Sequence, residues 1–181
     1  EPAEPESADS ATEPTESAEP EPTTPSRTVG VALVTVGDRT QAGASLDERL
    51  EMTVESTGHD VVVTERAEGG YDGLQQVVDK LVDLPTVDVV VTAGGIGITP
   101  EERTIEAVHP LFAKALPGFG EAFRTLLYDV IGTGIVAVRS AAGVADGTLV
   151  FCLPADAEAA GLAVQEILVT EAPELVAHLD E

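Results

Sequence analysis

The 181-residue chain has one cysteine, one methionine, no tryptophan, and only nine Lys and Arg side chains against 33 Asp and Glu. Each scarcity excludes a class. A single Cys152 rules out an intrachain disulfide and any cysteine-based zinc site. His59, His109 and His178 have no spacing that suggests a metal cluster and read as structural or surface residues. The shortage of basic residues says most. With a formal net charge of −24, and with Lys80 and Lys114 the only lysines, no cationic patch is available for a phosphate backbone or an acidic membrane. Neither nucleic acid nor membrane is therefore expected as a partner. Long apolar runs are also missing: Val87 to Val91, broken by Asp88, falls far short of the roughly 20 residues of a membrane span, and no charged-then-apolar secretory leader is visible. The expectation is a soluble, cytoplasmic protein. So large an acidic excess on a well-patterned core suits a halophilic setting, because molar salt screens repulsion within about 3 Å.

What is present divides in two. Residues 1–27 hold six of the twelve prolines and eight acids, with almost no large apolar side chain, and such a composition predicts a disordered tail. From residue 28 to 181 the hydrophobic patterning suffices for one core, so one domain is expected. Val29 to Val36 is a continuous apolar run ending at Gly37-Asp38, as in a buried parallel strand. Ser45-Leu46-Asp47-Glu48 matches a capping box, and Leu46, Leu50 and Val54 follow at helical spacing up to Gly58. Val61-Val62-Val63 gives a second strand, Asp72 is placed to cap a helix carrying Leu74, Val77, Val78, Leu81 and Val82, and Pro85 closes it. A strand over Val87 to Thr92 follows. This alternation predicts an α/β fold, a single three-layer domain with a mainly parallel sheet covered on both faces.

The stretch from Val89 to Ala107 organises the rest. It reads as a strand, then the turn Gly94-Gly95-Ile96-Gly97, then a helix starting at Thr99-Pro100-Glu101-Glu102, a second capping-box match with Thr99 as N-cap. Glycines free the backbone to turn tightly and to present N–H groups, and a helix start behind them favours an anion. A plain turn explains the glycines equally well. Ligands in parallel sheets bind beyond the carboxyl ends of strands, and that rule puts Gly37-Asp38 and Gly94 to Thr99 on one edge. Downstream, Gly118-Phe119-Gly120-Glu121 leads a helix with Phe119, Phe123, Leu126, Leu127 and Val130 on one stripe. Two apolar runs, Gly134 to Val138 and Thr148 to Leu153, end at Arg139 and Pro154. A helix bearing Ala160, Val164, Ile167 and Leu168 follows, and a last acidic helix is expected from near Pro173. Cys152 reads as a small core residue.

Four separated segments together resemble the molybdopterin-binding MoaB/MogA family: Thr92 to Gly97 with Pro100 to Ala107, Leu116 to Arg124, Val138-Arg139 to Ala142-Gly143, and Leu153-Pro154. The resemblance covers about Val29 to Leu179. It implies the compact α/β fold of that family, a role in molybdenum cofactor biosynthesis, binding of molybdopterin, and transfer of adenylate to it from ATP with magnesium. It also implies a homotrimer or homohexamer. By the same resemblance Gly94, Gly95, Gly97, Thr104, Glu106, Arg139 and Pro154 surround the pterin and nucleotide, Glu102 and Asp38 are catalytic, and Glu102 holds the magnesium.

Several positions depart from the family pattern. Ile96 stands for the second threonine of the loop, Glu102 for an aspartate, Val138 for a serine, and Ala155-Asp156 for glycine and a small neutral residue. Two hydroxyl donors are thereby lost and a negative charge is added near the anion, which raises the alternative of a catalytically impaired pterin-binding or interaction protein. Glu102 is equally explained as the capping partner of Thr99 and Asp38 as a turn cap, whereas Arg139, at the end of a buried run and aimed at the ligand edge, reads as a phosphate contact ahead of a salt-bridge residue.

Overall fold

The structure, a computed structural model, describes residues 27–37, 43–68 and 70–181, the side chains of 43–45 excepted. Asp38 and all of the expected tail but Arg27 lie outside the described residues. Six strands form one sheet: β1 (Gly30–Val36), β2 (Asp60–Ala67), β3 (Val89–Ala93), β4 (Lys114–Ala115), β5 (Ala141–Ala145) and β6 (Thr148–Leu153), in the order β2-β1-β3-β6-β5-β4. The first four in that order run parallel, and β5 and β4 are antiparallel additions. The expected mainly parallel, three-layer α/β domain is what forms.

Why the strands are continuously apolar is clear from their two faces. Along β1, Val31 and Leu33 enter one core cluster and Ala32 and Val34 the other. Val89, Val91 and Ala93 of β3 and Leu149, Phe151 and Leu153 of β6 join the first, whereas Val90, Val150 and Cys152 join the second. Helices α1 (Gly43–Ser56), α4 (Pro117–Ile131), α5 (Ala157–Ala163) and α6 (Val169–Leu179) cover the first face. Helices α2 (Tyr71–Val82) and α3 (Thr104–Val108) cover the second. No helix of the described residues is long and apolar enough to cross a membrane.

Local starts differ from the capping expectations. Helix α1 begins at Gly43, so Ser45 lies inside it, and Asp47 spends its carboxylate on an ion pair with Arg66 of β2 at 2.8 Å. Helix α2 is entered through Gly70, and Asp72 sits in its first turn, where a negative charge complements the helix dipole without capping it. The run Gly134 to Val138 forms no strand: residues Gly132–Ala137 make a 3-10 helix in which Val136 is 89% exposed. Arg27, assigned by composition to the tail, pairs with Asp180 and, at 3.3 Å, with Asp88, whose other oxygen accepts from Gly30 N–H at 2.8 Å.

The last helix carries Pro173 in its interior instead of at its start. Proline has no N–H, so the carbonyl four residues earlier, Val169, loses its helical donor. Buried His59 supplies one. Its Nδ1 accepts from Val29 N–H at 3.3 Å, which leaves the proton on Nε2 to donate to Val169 O at 3.4 Å. A π turn over Val164–Leu168 joins α5 to α6 immediately before this point, with Val169 N–H bonding back five residues to Val164 O. His59 thus ties the entry of β1 to the proline-interrupted helix. Replacing it, His59→Leu, is expected to cost about 2 kcal/mol in denaturant unfolding, two buried hydrogen bonds being lost. Adding Pro173→Ala restores a backbone donor for Val169, so the double variant should recover part of that loss. Strict additivity of the two changes would show that His59 and Pro173 are uncoupled.

Candidate functional site

The carboxyl ends of β1, β3 and β6 meet at the glycine turn. Gly94 N–H donates to Leu153 O at 2.9 Å, and an added Cβ on Gly94 would lie 2.7 Å from Val36 O, so the ends of all three strands are in contact. Gly95 has φ +67, and a Cβ there would meet Thr104 Oγ1 at 2.3 Å. Thr104 closes the turn from the other side, its N–H to Gly95 O at 2.9 Å and its hydroxyl to Gly94 O at 2.8 Å. Being 1% exposed, Thr104 holds the loop from beneath.

The helix expected from Thr99 does not start there. Residues 99–102 form a tight turn, with Glu102 N–H to Thr99 O at 3.1 Å, and α3 begins only at Thr104. One half of the capping box is present, because Glu102 Oε2 accepts from Thr99 N–H at 3.3 Å. The other half is reversed: the Thr99 hydroxyl donates to Glu102 Oε2 at 3.0 Å, where an N-cap would accept from the helix. Glu102 Oε1 takes Gly97 N–H at 3.0 Å. Its carbonyl, which a helix beginning at Pro100 would offer to Glu106 N–H, is held by Arg139 at 3.0 Å.

Arg139 is the hub. Its Nε donates to Gly97 O at 2.8 Å and Ile96 O at 3.1 Å, Nη2 to Glu102 O and to Glu106 Oε2 at 3.4 Å, and Nη1 to Glu106 Oε1 at 2.5 Å. A planar guanidinium fits such a fan of acceptors, and no lysine does. The hydrogen bond from Arg139 holds the Glu106 carboxyl below its ordinary value of 4.5. Because the folded value is the lowered one, the pair contributes fully above 4.5 and is lost as pH falls through the folded value.

Of the residues expected at the site, Gly94, Gly95, Gly97, Glu102, Thr104, Glu106 and Arg139 are brought together. Gly97, Thr99, Glu102, Arg103, Glu106 and Arg139 line a cleft of about 310 Å³. Pro154 stands just beyond β6 on the same edge, and Ala155 lies 3.6 Å from the Cβ that Gly94 lacks. Ile96 turns inward, 5% exposed, into the second core cluster, and half-buried Val138 packs on both. Asp156 is the N-cap of α5, its carboxylate accepting from Ala159 N–H at 2.8 Å, a role the sequence reading missed although an acid three residues past a strand end and before an alanine-rich helix signals it. Arg103 lies over the Tyr71 ring at 5.5 Å, a contact no sequence spacing announces. Cys152 is fully buried, its thiol pushed up to about 11, and is an inert core residue. Among the described residues no three His, Cys, Asp or Glu side chains are grouped to hold a metal ion.

The arrangement predicts that Arg139→Lys, although it keeps the charge, destabilises the fold by about 2 kcal/mol in chemical denaturation, because three carbonyls lose charged donors. Amide exchange at Gly97 and Thr99 should quicken in the same variant. Unchanged stability and exchange would mean that the loop holds its shape without the guanidinium.

A family model described as a probable molybdopterin binding domain matches residues 32–175. A molybdenum cofactor biosynthesis protein B of Bacillus subtilis is 36% identical over 150 residues, covering 81% of this chain and 88% of its own. One of Staphylococcus epidermidis is 44% identical over 96 residues, 52% of this chain, and the chain spans about half, 54%, of that relative's length. Among solved structures, one titled molybdenum cofactor biosynthesis protein B superposes with a TM-score of 0.81 at 32% identity, covering 85% of this chain and 97% of its own. Matches of this extent make the chain a member of the molybdopterin-binding MoaB/MogA family.

Proposed function

We propose that this chain serves molybdenum cofactor biosynthesis by binding molybdopterin through its phosphate at the edge built from Gly94 to Glu106. The observation that carries the reading is the convergence of Gly97 N–H, Thr99 N–H and the Thr99 hydroxyl on one carboxylate, a donor set suited to a phosphate oxygen. The curated relatives named for molybdenum cofactor biosynthesis support the pathway. Exposed Ile98, 76% accessible beside this cleft, offers an apolar surface to a ring system.

A second reading adds chemistry, adenylate transfer from ATP with magnesium. It is favoured by two carboxylates, Glu102 and Glu106, lining one cleft. Their present engagements weigh against a metal there: Glu102 is bound by three donors and both Glu106 oxygens by Arg139, so a cation would have to break these first. Pyrophosphate release in molar salt distinguishes the readings. The expected result is pterin binding, followed by the pterin's own absorbance or fluorescence, with little pyrophosphate released from ATP and magnesium. Brisk release would establish the transferase, and failure to bind molybdopterin would overturn the first reading.

Assembly belongs to the same proposal. Met52, Val130 and Ile131 are 70%, 55% and 47% exposed around a groove of about 690 Å³ where α1, α4 and α5 meet, a surface that further copies of the chain would cover in a homotrimer or homohexamer. Mass measurement in molar salt should give a multiple of three, with dissociation as salt is lowered and acidic surfaces repel. A monomer in molar salt would refute this.

A further inference from the structure

We infer that Glu102 is a built-in occupant of the oxyanion site in the glycine loop, and that a phosphate group enters only by displacing its carboxylate. The inference rests on the proposed function and deepens it, since it starts from the same three donors and adds how the loop is fitted around the carboxylate they hold.

The loop is shaped around a carboxylate. Glu102 Oε1 receives Gly97 N–H at 3.0 Å, and Oε2 receives Thr99 N–H at 3.3 Å and the Thr99 hydroxyl at 3.0 Å. Three donors from two residues thus meet a single anionic group. Position 97 is open for that group alone: a Cβ there would stand 2.1, 2.3 and 2.4 Å from the two oxygens and the carboxyl carbon of Glu102. Glycine is therefore required at 97 by the bound carboxylate, since any side chain would fill the place where the anion sits. Carbonyls of the same loop are drawn to the opposite partner, with Ile96, Gly97 and Glu102 all accepting from Arg139. The loop's N–H groups and its carbonyls are thus sorted between an anion, Glu102, and a cation, Arg139.

A carboxylate with two oxygens on backbone N–H groups presents the same chemistry as a phosphate with two of its oxygens there. Glu102 is covalently attached and so competes at high effective concentration, holding the loop in its binding shape while no ligand is present. A ligand phosphate gains the donors and frees Glu102, whose released carboxylate then faces the cleft shared with Arg103 and Glu106.

The probe is inorganic pyrophosphate, titrated calorimetrically at a fixed molar concentration of potassium chloride. The unaltered protein should bind it weakly. Glu102→Ala should bind at least about tenfold tighter, with Glu102→Gln shifted the same way because it keeps the shape but loses the charge. Circular dichroism on both variants confirms that they fold, and the glutamine variant carries the test if the alanine variant does not. Adding Gly97→Ala to Glu102→Ala puts a methyl into the emptied cradle and should abolish the gain. Equal affinity in the unaltered and Glu102 variants would overturn the inference, as would a gain that survives Gly97→Ala, because the anion would then sit elsewhere. Pyrophosphate carries no pterin, so failure of molybdopterin binding with these gains intact removes only the proposed ligand. Strong molybdopterin binding with no gain in the variants removes only the role given to Glu102.

Discussion

One guanidinium holds the site together. Arg139 reaches across from the segment between α4 and β5 to take the carbonyls of Ile96, Gly97 and Glu102 and the carboxylate of Glu106, and so fixes a loop whose own backbone bonds are few. A glycine turn left alone costs backbone entropy to order, roughly 1–2 kcal/mol per residue, and the charged donors of Arg139 offset that cost. Its contacts extend to the start of the helix behind. The Glu102 carbonyl faces Arg139, and α3 spans only Thr104–Val108, anchored by Thr104 beneath the turn. A residue read from sequence as a choice between phosphate contact and salt bridge is therefore engaged in positioning, with the pair to Glu106 as one of its four partners.

How much was legible in the sequence follows from which forces set each element. Strands β1, β3 and β6 are buried on both faces, so their continuous Val and Leu runs mark them without ambiguity, and their order fixes the edge where the glycine turn must lie. Helix interiors were nearly as plain, except that Val130, read on the apolar stripe of α4, is 55% exposed at the helix's end. Helix starts were not, because Ser45, Asp72 and Thr99 all have residue types that favour caps, while Asp47 was drawn to Arg66 and the Thr99 turn to Glu102 and Arg139, partners remote in sequence or invisible to a four-residue pattern. Gly134 to Val138 is not told apart by composition either. It is as apolar as Thr148 to Leu153, yet Gly132 with φ +62 turns the chain out of α4 into an exposed 3-10 helix, and β5 begins only at Ala141. Pro173 misled as a helix start because the donor that lets a proline sit inside α6 comes from His59, 114 positions away by number, a contact with no local trace.

The departures from the family pattern separate once the side chains are placed. Ile96 faces the core between β3 and α3, so its replacement of a hydroxyl residue adds apolar burial on the inner side of the loop. Asp156 is turned toward Ala159 N–H and its charge is spent on the start of α5, which removes much of the reason to count it against an anion in the cleft. Val138 packs on both core clusters just before Arg139 and so steadies the approach of the guanidinium. Three substitutions that composition alone reads as damage to a phosphate site are, in place, packing and capping changes around it.

Glu102 is the departure that bears on chemistry, and the balance of charge explains why. In a chain with 33 acids and nine basic residues, most of the surface repels an anion, and one that approaches the cleft meets Glu102 and Glu106 with Arg103 and Arg139 as the cations among its lining. Arg139 neutralises Glu106 by direct pairing, whereas the charge of Glu102 is met only by backbone dipoles and one hydroxyl. Dipoles aimed at a fixed point serve whichever anion stands there, while an ion pair is specific to its two partners. The loop is accordingly committed by its N–H groups to an anion but not to this one, and that asymmetry makes Glu102, and not Glu106, the side chain a bound phosphate would replace.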